Sequence, residues 1–235
     1  MKGGLVLEPL KFGDYSHELV FGTSSPTEIV PLNRDTSGIP VVFQGQENTC
    51  VSCSITWALQ WMDKNHPNLA HEWLALISRT DQNGATVSQV LEPARKTGVV
   101  KEETWKAYKV TETFEDALLD AVNHQLPGYF FLTNLSPSGI YHALQEGLVL
   151  VGVKEWKGVG PHMMVAYDVT TDGKLKCKNW WDQNVQSEEE VPFDLVIKAV
   201  GIREKPEDFV KEFAKFSFWY VLLNKIVFYI KKYVS

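Results

Sequence analysis

Gln44-Gly45-Gln46-Glu47-Asn48-Thr49-Cys50-Val51-Ser52-Cys53-Ser54 sets a thiol at the head of a long apolar segment. From Cys50 to about Asn65 the chain reads as one helix, with Ile55, Trp57, Ala58, Trp61 and Met62 at mixed i, i+3, i+4 spacings. Apolar residues cover much of its circumference, so the helix is expected to be buried on several sides. Pro67 closes it. A thiol in the first turn feels the positive end of the helix dipole, which should lower its pKa and favour the thiolate. The Gln44 amide, a short loop upstream, could donate to a developing oxyanion.

Outward from this segment the texture is ordered. Residues 1–48 carry Pro9, Pro26, Pro31 and Pro40 and read as irregular, with Ile39–Phe43 the sort of short apolar piece that could pair as strand. Downstream, His71–Arg79, Val87–Lys96, Phe114–Asn123 and Ser138–Glu146 read as helices. Pro93 should kink or split the second of these, and Gly98 is a C-cap candidate just past its end. Asp81-Gln82-Asn83-Gly84 is a turn by composition. Leu148–Val153, Met163–Val169 and Lys174–Asn179 then read as strands, the last two joined by a hairpin turn at Thr171-Asp172-Gly173. A helical half followed by a β half predicts an α+β fold with an antiparallel sheet.

A nucleophilic cysteine needs a base and a group to orient that base. His162 follows Gly160-Pro161 at the mouth of one strand, and Asn179-Trp180-Trp181 closes the next. Antiparallel pairing would put His162 and Asn179 at the same end of the sheet, giving Cys, His and an amide in chain order. Trp181 is a candidate shield for a His–Asn hydrogen bond. Cys177 falls on the same strand face as Asn179, and His17, His66, His71, His124 and His142 read as surface or cap residues without a partner pattern. Trp73, Trp105 and Trp156 read as core or groove walls.

With these residues in place the chain resembles the papain-like cysteine peptidases, in a divergent form. The family places a Gln six residues before the catalytic Cys, the spacing of Gln44 and Cys50, and a Gly after that Gln, here Gly45. Gly98-Val99-Val100-Lys101-Glu102-Glu103-Thr104-Trp105 with Tyr108 is similar to a family connection. Leu144–Val151 resembles its entry into the β half, His162–Asp168 its His strand, and Asn179-Trp180-Trp181 its Asn-Ser-Trp element. The resemblance covers about residues 40–200. It implies a two-lobed fold and acyl transfer by a Cys50–His162–Asn179 triad, with Gln44 holding the oxyanion, no cofactor and no metal. Cys-Val-Ser-Cys could also be laid on the family's C-G-S-C run with Cys53 as nucleophile. Glu47 would then fall where an oxyanion donor is needed, and its charge would oppose the reaction, so Cys50 is preferred and Cys53 and Cys177 are read as structural. The chain departs from the family pattern in the short interval of 112 residues from Cys50 to His162, against roughly 130–150. It departs again at Asp182-Gln183, where the family has glycines.

Protein or peptide is the expected substrate. The alternatives are peptidoglycan cross-links, or a catalytically idle relative with a binding or structural role, such as a virion component. The 23 Lys+Arg against 29 Asp+Glu, a net charge of -6, argue against nucleic acid as partner, and three Cys exclude a disulfide scaffold. The opening Met1–Pro9 breaks too early for a signal peptide, so a cytoplasmic or virion-associated protein, peripheral to a membrane, is expected. The domain reading is an arm over 1–40, a peptidase-like domain over 41–210 and a C-terminal helix over 211–235. Sixteen of the 22 residues from Phe213 to Val234 are apolar or aromatic, and the only charges are Lys215, Lys225, Lys231 and Lys232. Trp219, Leu222, Leu223, Ile226, Val227 and Ile230 share one helical face, which suits an interfacial helix on a membrane or a partner surface better than a spanning one.

Overall fold

The structure, a computed structural model, describes residues 4–8, 28–111 and 113–203. Helix α1 (Cys50–Met62) lies at its centre. Its residues Cys50–Gln60 are all buried, the polar Ser52, Ser54, Thr56 and Gln60 with the rest, which agrees with a helix whose apolar residues cover much of its circumference. It ends a turn before the expected Asn65. Around it come α2 (His71–Ile77), α3 (Val87–Lys96), α4 (Glu102–Tyr108) and α5 (Phe114–Ala121). The Thr86 and Gln89 side chains close a reciprocal capping box on α3, and Thr113 and Asp116 close one on α5. α3 runs through Pro93 as a single helix, and Gly98 follows it at φ 92°, where an added Cβ would fall 1.9 Å from the Ala121 carbonyl oxygen.

The β half is a six-stranded antiparallel sheet built from β3 (Tyr129–Phe131), β4 (Gly147–Val153), β5 (His162–Val169), β6 (Leu175–Asn179), β7 (Ser187–Val191) and β8 (Val196–Arg203), in the order β3-β8-β4-β5-β6-β7. Side chains alternate across it. Leu148, Leu150, Met163, Val165 and Val200 join the α1 core, while Val149, Val151, Met164, Ala166 and Ala199 join a second core with Ile140, Tyr141 and Leu144 of α6 (Pro137–Glu146). The α+β architecture agrees with the sequence reading.

Two expectations about the arm change. Ile39–Phe43 does not pair as a strand, whereas Leu5–Val6 forms β1, parallel to β2 (Ala85–Thr86). Residues 28–48 are irregular but fastened: Asp168 accepts from the Leu32 and Asn33 backbone N–H groups at 2.7 and 3.1 Å, and Gln60 donates to the Pro40 carbonyl at 2.9 Å. Two of the histidines read as surface or cap residues lie at helix ends, and neither is at the open surface. His71 is buried beside Glu72, and the His124 side chain is 10% exposed between Asp63 and Asp120. Among the described residues no helix is long and apolar enough to cross a membrane; the expected helix over 211–235 lies outside them.

Candidate active site

Cys50 is the first residue of α1, so its sulfur sits among the unpaired N–H groups of the helix start. The backbone N–H groups of Met163, Gly4, Val51 and Cys50 itself all favour the thiolate. Burial outweighs them. The side chain is wholly enclosed, and the thiol is pushed up to about 11 from an ordinary 9.0. The lowered pKa expected from the helix dipole is therefore not found in this covered state, because desolvation exceeds the partial charges at the helix end. Cys53, one turn on, is also buried, with its sulfur 3.7 Å from Thr49 Oγ1, and burial pushes its thiol well up.

β5 and β6 pair antiparallel across the Thr170–Lys174 turn, and this brings His162 and Asn179 to one end of the hairpin. His162 Nε2 and Asn179 Oδ1 are 2.7 Å apart, with both side chains buried. Asn179 Oδ1 also accepts from the Trp180 N–H at 2.8 Å, while Asn179 Nδ2 donates to Glu189 Oε1 at 3.4 Å. The carboxamide is thus held with its oxygen toward the ring. That bond requires a proton on Nε2, which leaves Nδ1 as the lone-pair nitrogen of the neutral imidazole. Nδ1 is buried without a hydrogen bond. Desolvation lowers the ring's pKa to about 4, against the raising effects of Asn179 and Glu189. Trp181 covers the ring, its centroid 4.7 Å from that of His162.

Gln44 is buried in the loop before α1. Its N–H donates to the Trp180 carbonyl at 2.9 Å, tying the loop to the residue after Asn179. Its side-chain Nε2 donates to the Glu47 carbonyl, and Oε1 has no hydrogen bond. Sequence reasoning missed three supports. Trp180 packs against Trp57 in the core and its Nε1 donates to Ser54 Oγ and to the Met163 carbonyl, which joins α1 to β5. Gln186 accepts from the Val42 N–H at 2.9 Å and donates to the Asn179 carbonyl. The third is the segment Gly4–Glu8. Gly4 packs so closely on Asn48 that an added Cβ would fall 2.1 Å from the Asn48 carbonyl oxygen, and its own carbonyl accepts from Ala85 N–H at 2.9 Å. Nothing local in a sequence run of Gly4-Leu5-Val6 signals that position.

A groove of about 800 Å³ runs beside the head of α1, lined in part by Glu47, Asn48, Thr49 and Trp105; Cys50 and His162 do not line it. Among the described residues no three His, Cys, Asp or Glu side chains are grouped to hold a metal ion.

The sequence matches no protein-family model and no curated protein. Solved structures do match. Xylellain, a cysteine protease from Xylella fastidiosa, aligns with a TM-score of 0.67 at 15% identity over 86% of this chain and 95% of that one. The bromelain protease from Ananas comosus, solved with the E64 inhibitor, aligns at 0.56 and 12% identity over 69% and 92% of the two chains. Digestive procathepsin L 3 of Tenebrio molitor aligns at 0.55 and 15% over 70% and 66%. The fold is papain-like, in a divergent form.

Proposed function

We propose that this papain-fold chain is a cysteine peptidase acting through Cys50, His162, Asn179 and Gln44. The Cys50 sulfur attacks the carbonyl carbon of a peptide bond, and its proton passes to His162 Nδ1. The Cys50 N–H and Gln44 Nε2 donate to the oxyanion that forms. His162 then delivers the proton to the leaving amine, with Asn179 keeping the ring aligned. Water, deprotonated by His162, attacks the thioester and releases the acid, which restores the thiol. The observation that carries this reading is the buried 2.7 Å His162–Asn179 bond beneath Trp181, one residue from the Met163 N–H that faces the Cys50 sulfur. The kinship of fold with three proteases supports it.

In the covered state burial keeps both groups neutral, the thiol at about 11 and the imidazole at about 4. Ion-pair formation then depends on opening the cleft where Gly4 lies, because water and substrate dipoles restore solvation to the charged forms. A second reading rests on the same burial: an idle papain fold with a binding role would also hold its thiol enclosed and neutral.

Intact-mass analysis after incubation with an E64-type epoxide separates the two. The peptidase reading expects one adduct on Cys50, absent in Cys50→Ala and formed at least about a hundredfold more slowly in His162→Ala. Modification at Cys53 instead, or an unchanged rate in His162→Ala, overturns it. Absence of any adduct, also in a Gly4→Val variant that crowds the covering segment out, establishes the idle reading.

A further inference from the structure

The segment Gly4–Glu8 packs beside Cys50 and over the residue next to His162, and the groups that hold it can be read as a recognition surface. Gly4 contributes its carbonyl to Ala85 N–H at 2.9 Å. Leu5, 3% exposed, drops its side chain into a hollow over Gly152 of β4, where an added Cβ would fall 2.8 Å from Leu5 Cδ2. The same missing Cβ would lie 3.4 Å from Met163 Cε and 3.4 Å from Lys198 Cβ, so one wall of the hollow belongs to the residue next to His162 and another to Lys198 of β8. Three residues on, the Glu8 carboxylate accepts the Ser88 N–H at 2.7 Å, in the first turn of the ten-residue helix α3. Lys198 Nζ stands 3.6 Å from Glu8 Oε1 and donates to the Glu8 carbonyl at 3.2 Å. The Lys198 and Glu8 side chains are only 9% and 6% exposed. An aliphatic side chain in the hollow and a carboxylate between a helix N-terminus and a buried ammonium are therefore accommodated together, beside the candidate site.

We propose that the Ser88 N–H and Lys198 form a carboxylate-recognition subsite, so that the cleft selects peptides carrying an acidic side chain near an aliphatic one. The inference rests on the peptidase reading in one respect: a peptide that reaches Cys50 must displace Gly4–Glu8, and so meets the groups that segment leaves. A lysine held in an apolar wall gains more from a carboxylate than a surface lysine does, because low dielectric strengthens the pair and water screens it less. A neutral amide of the same shape keeps the hydrogen bond from Ser88 but forfeits the charge interaction with both the ammonium and the helix dipole. The discrimination is thus expected between Glu and Gln, and it should pass through Lys198.

Two measurements on the full chain test it. The first uses pairs of fluorogenic peptides that differ only by Glu or Gln, placed in turn at each position on either side of an aliphatic residue. One register should show a kcat/KM at least about tenfold higher for Glu, falling to near parity in Lys198→Met and surviving in Lys198→Arg. The second uses no turnover: the Gly4→Val/Cys50→Ala protein is titrated with the hexapeptide Gly-Gly-Leu-Val-Leu-Glu and with its Gln-ended counterpart. The Glu peptide should bind about tenfold more tightly, and Lys198→Met should erase that difference while Lys198→Arg keeps it. Peptide hydrolysis without any Glu preference, a preference that persists in Lys198→Met, or equal binding of the two hexapeptides overturns the subsite and leaves the peptidase reading standing. A Lys198-dependent binding difference without hydrolysis leaves the subsite and removes the peptidase.

Discussion

Burial moves two titratable groups of the site in opposite directions. The imidazole of His162 falls from 6.5 to about 4 and the thiol of Cys50 rises from 9.0 to about 11, so both are held uncharged. For the histidine, the unfolded chain binds a proton between pH 6.5 and 4 that the folded chain refuses. Its contribution is therefore complete above pH 6.5 and is lost as pH falls toward 4, up to roughly 3 kcal/mol. For the cysteine, stability is complete below pH 9 and is lost as pH rises toward 11. Urea unfolding at a series of pH values should show a plateau between about 6.5 and 9 with a loss on each side. In His162→Gln the part of the acid loss that belongs to the ring should vanish; identical slopes between pH 6.5 and 5 in both proteins would refute the assignment. Gln44 makes a different prediction. Its Nε2 is the side-chain donor proposed for the oxyanion, so Gln44→Ala should lower kcat by roughly 10²–10³ with little change in KM. A kcat within twofold of the parent would show that the amide does not reach the reacting oxygen. The spacing of Gln44 from Cys50 was legible in the sequence. The engagement of its amide by the Glu47 carbonyl was not, because it depends on how a six-residue loop closes.

Elements with a strong local period were legible, and those defined by a distant partner were not. The Cys50 helix and the β5–β6 hairpin carry their own patterns, and with the hairpin came the meeting of His162 and Asn179. β7 reads locally as a run of three glutamates. It becomes a strand because Lys176 and Lys178 of β6 stand opposite Glu190 and Glu188. β1 is two residues long and pairs with Ala85–Thr86, about eighty positions away, so nothing near it announces a strand. Gly4 and Gly84 make that pairing possible: a Cβ on Gly84 would fall 1.8 Å from the Gly4 carbonyl oxygen, and one on Gly4 would collide with Asn48. Gly4→Val should therefore displace the segment, removing Leu5 from the edge of the α1 core while leaving the helices and the six-stranded sheet in place. If the displacement lowers the energy of opening by 1.4 kcal/mol, a small alkylating reagent such as iodoacetamide should reach Cys50 about tenfold faster. Mass spectrometry of the labelled thiol over time measures this. Equal rates in the variant and the parent would mean that the segment is not what encloses the sulfur.

At the scale of the whole molecule, the charge is unevenly divided. The chain carries a net -6, and the four lysines of residues 213–235 leave -10 for everything before them. Among the described residues the last contributor to either hydrophobic core is Ile202 in β8, which pairs with β3 and β4. A chain shortened after Pro206 should therefore keep the sheet, the helices and the candidate site, with a melting temperature within a few degrees of the parent. The removed segment has the composition of an interfacial helix, with lysines for anionic headgroups and Trp219 and Tyr229 for the boundary. A spanning helix would hold Lys225 near mid-bilayer at roughly 2.5–3.5 kcal/mol. Flotation with vesicles rich in phosphatidylserine should thus recover the full chain at low salt and not the shortened one, and recovery should decline as salt screens the lysines. If the shortened chain unfolds or aggregates, residues 207–235 complete the core and the membrane expectation is wrong. If it stays folded and floats as well as the full chain, the attraction lies elsewhere on the molecule. That second outcome would be hard to reconcile with a shortened chain of net charge -8, residues 207–212 having taken Glu207, Asp208 and Glu212 against Lys211 with them, because anionic lipid repels it.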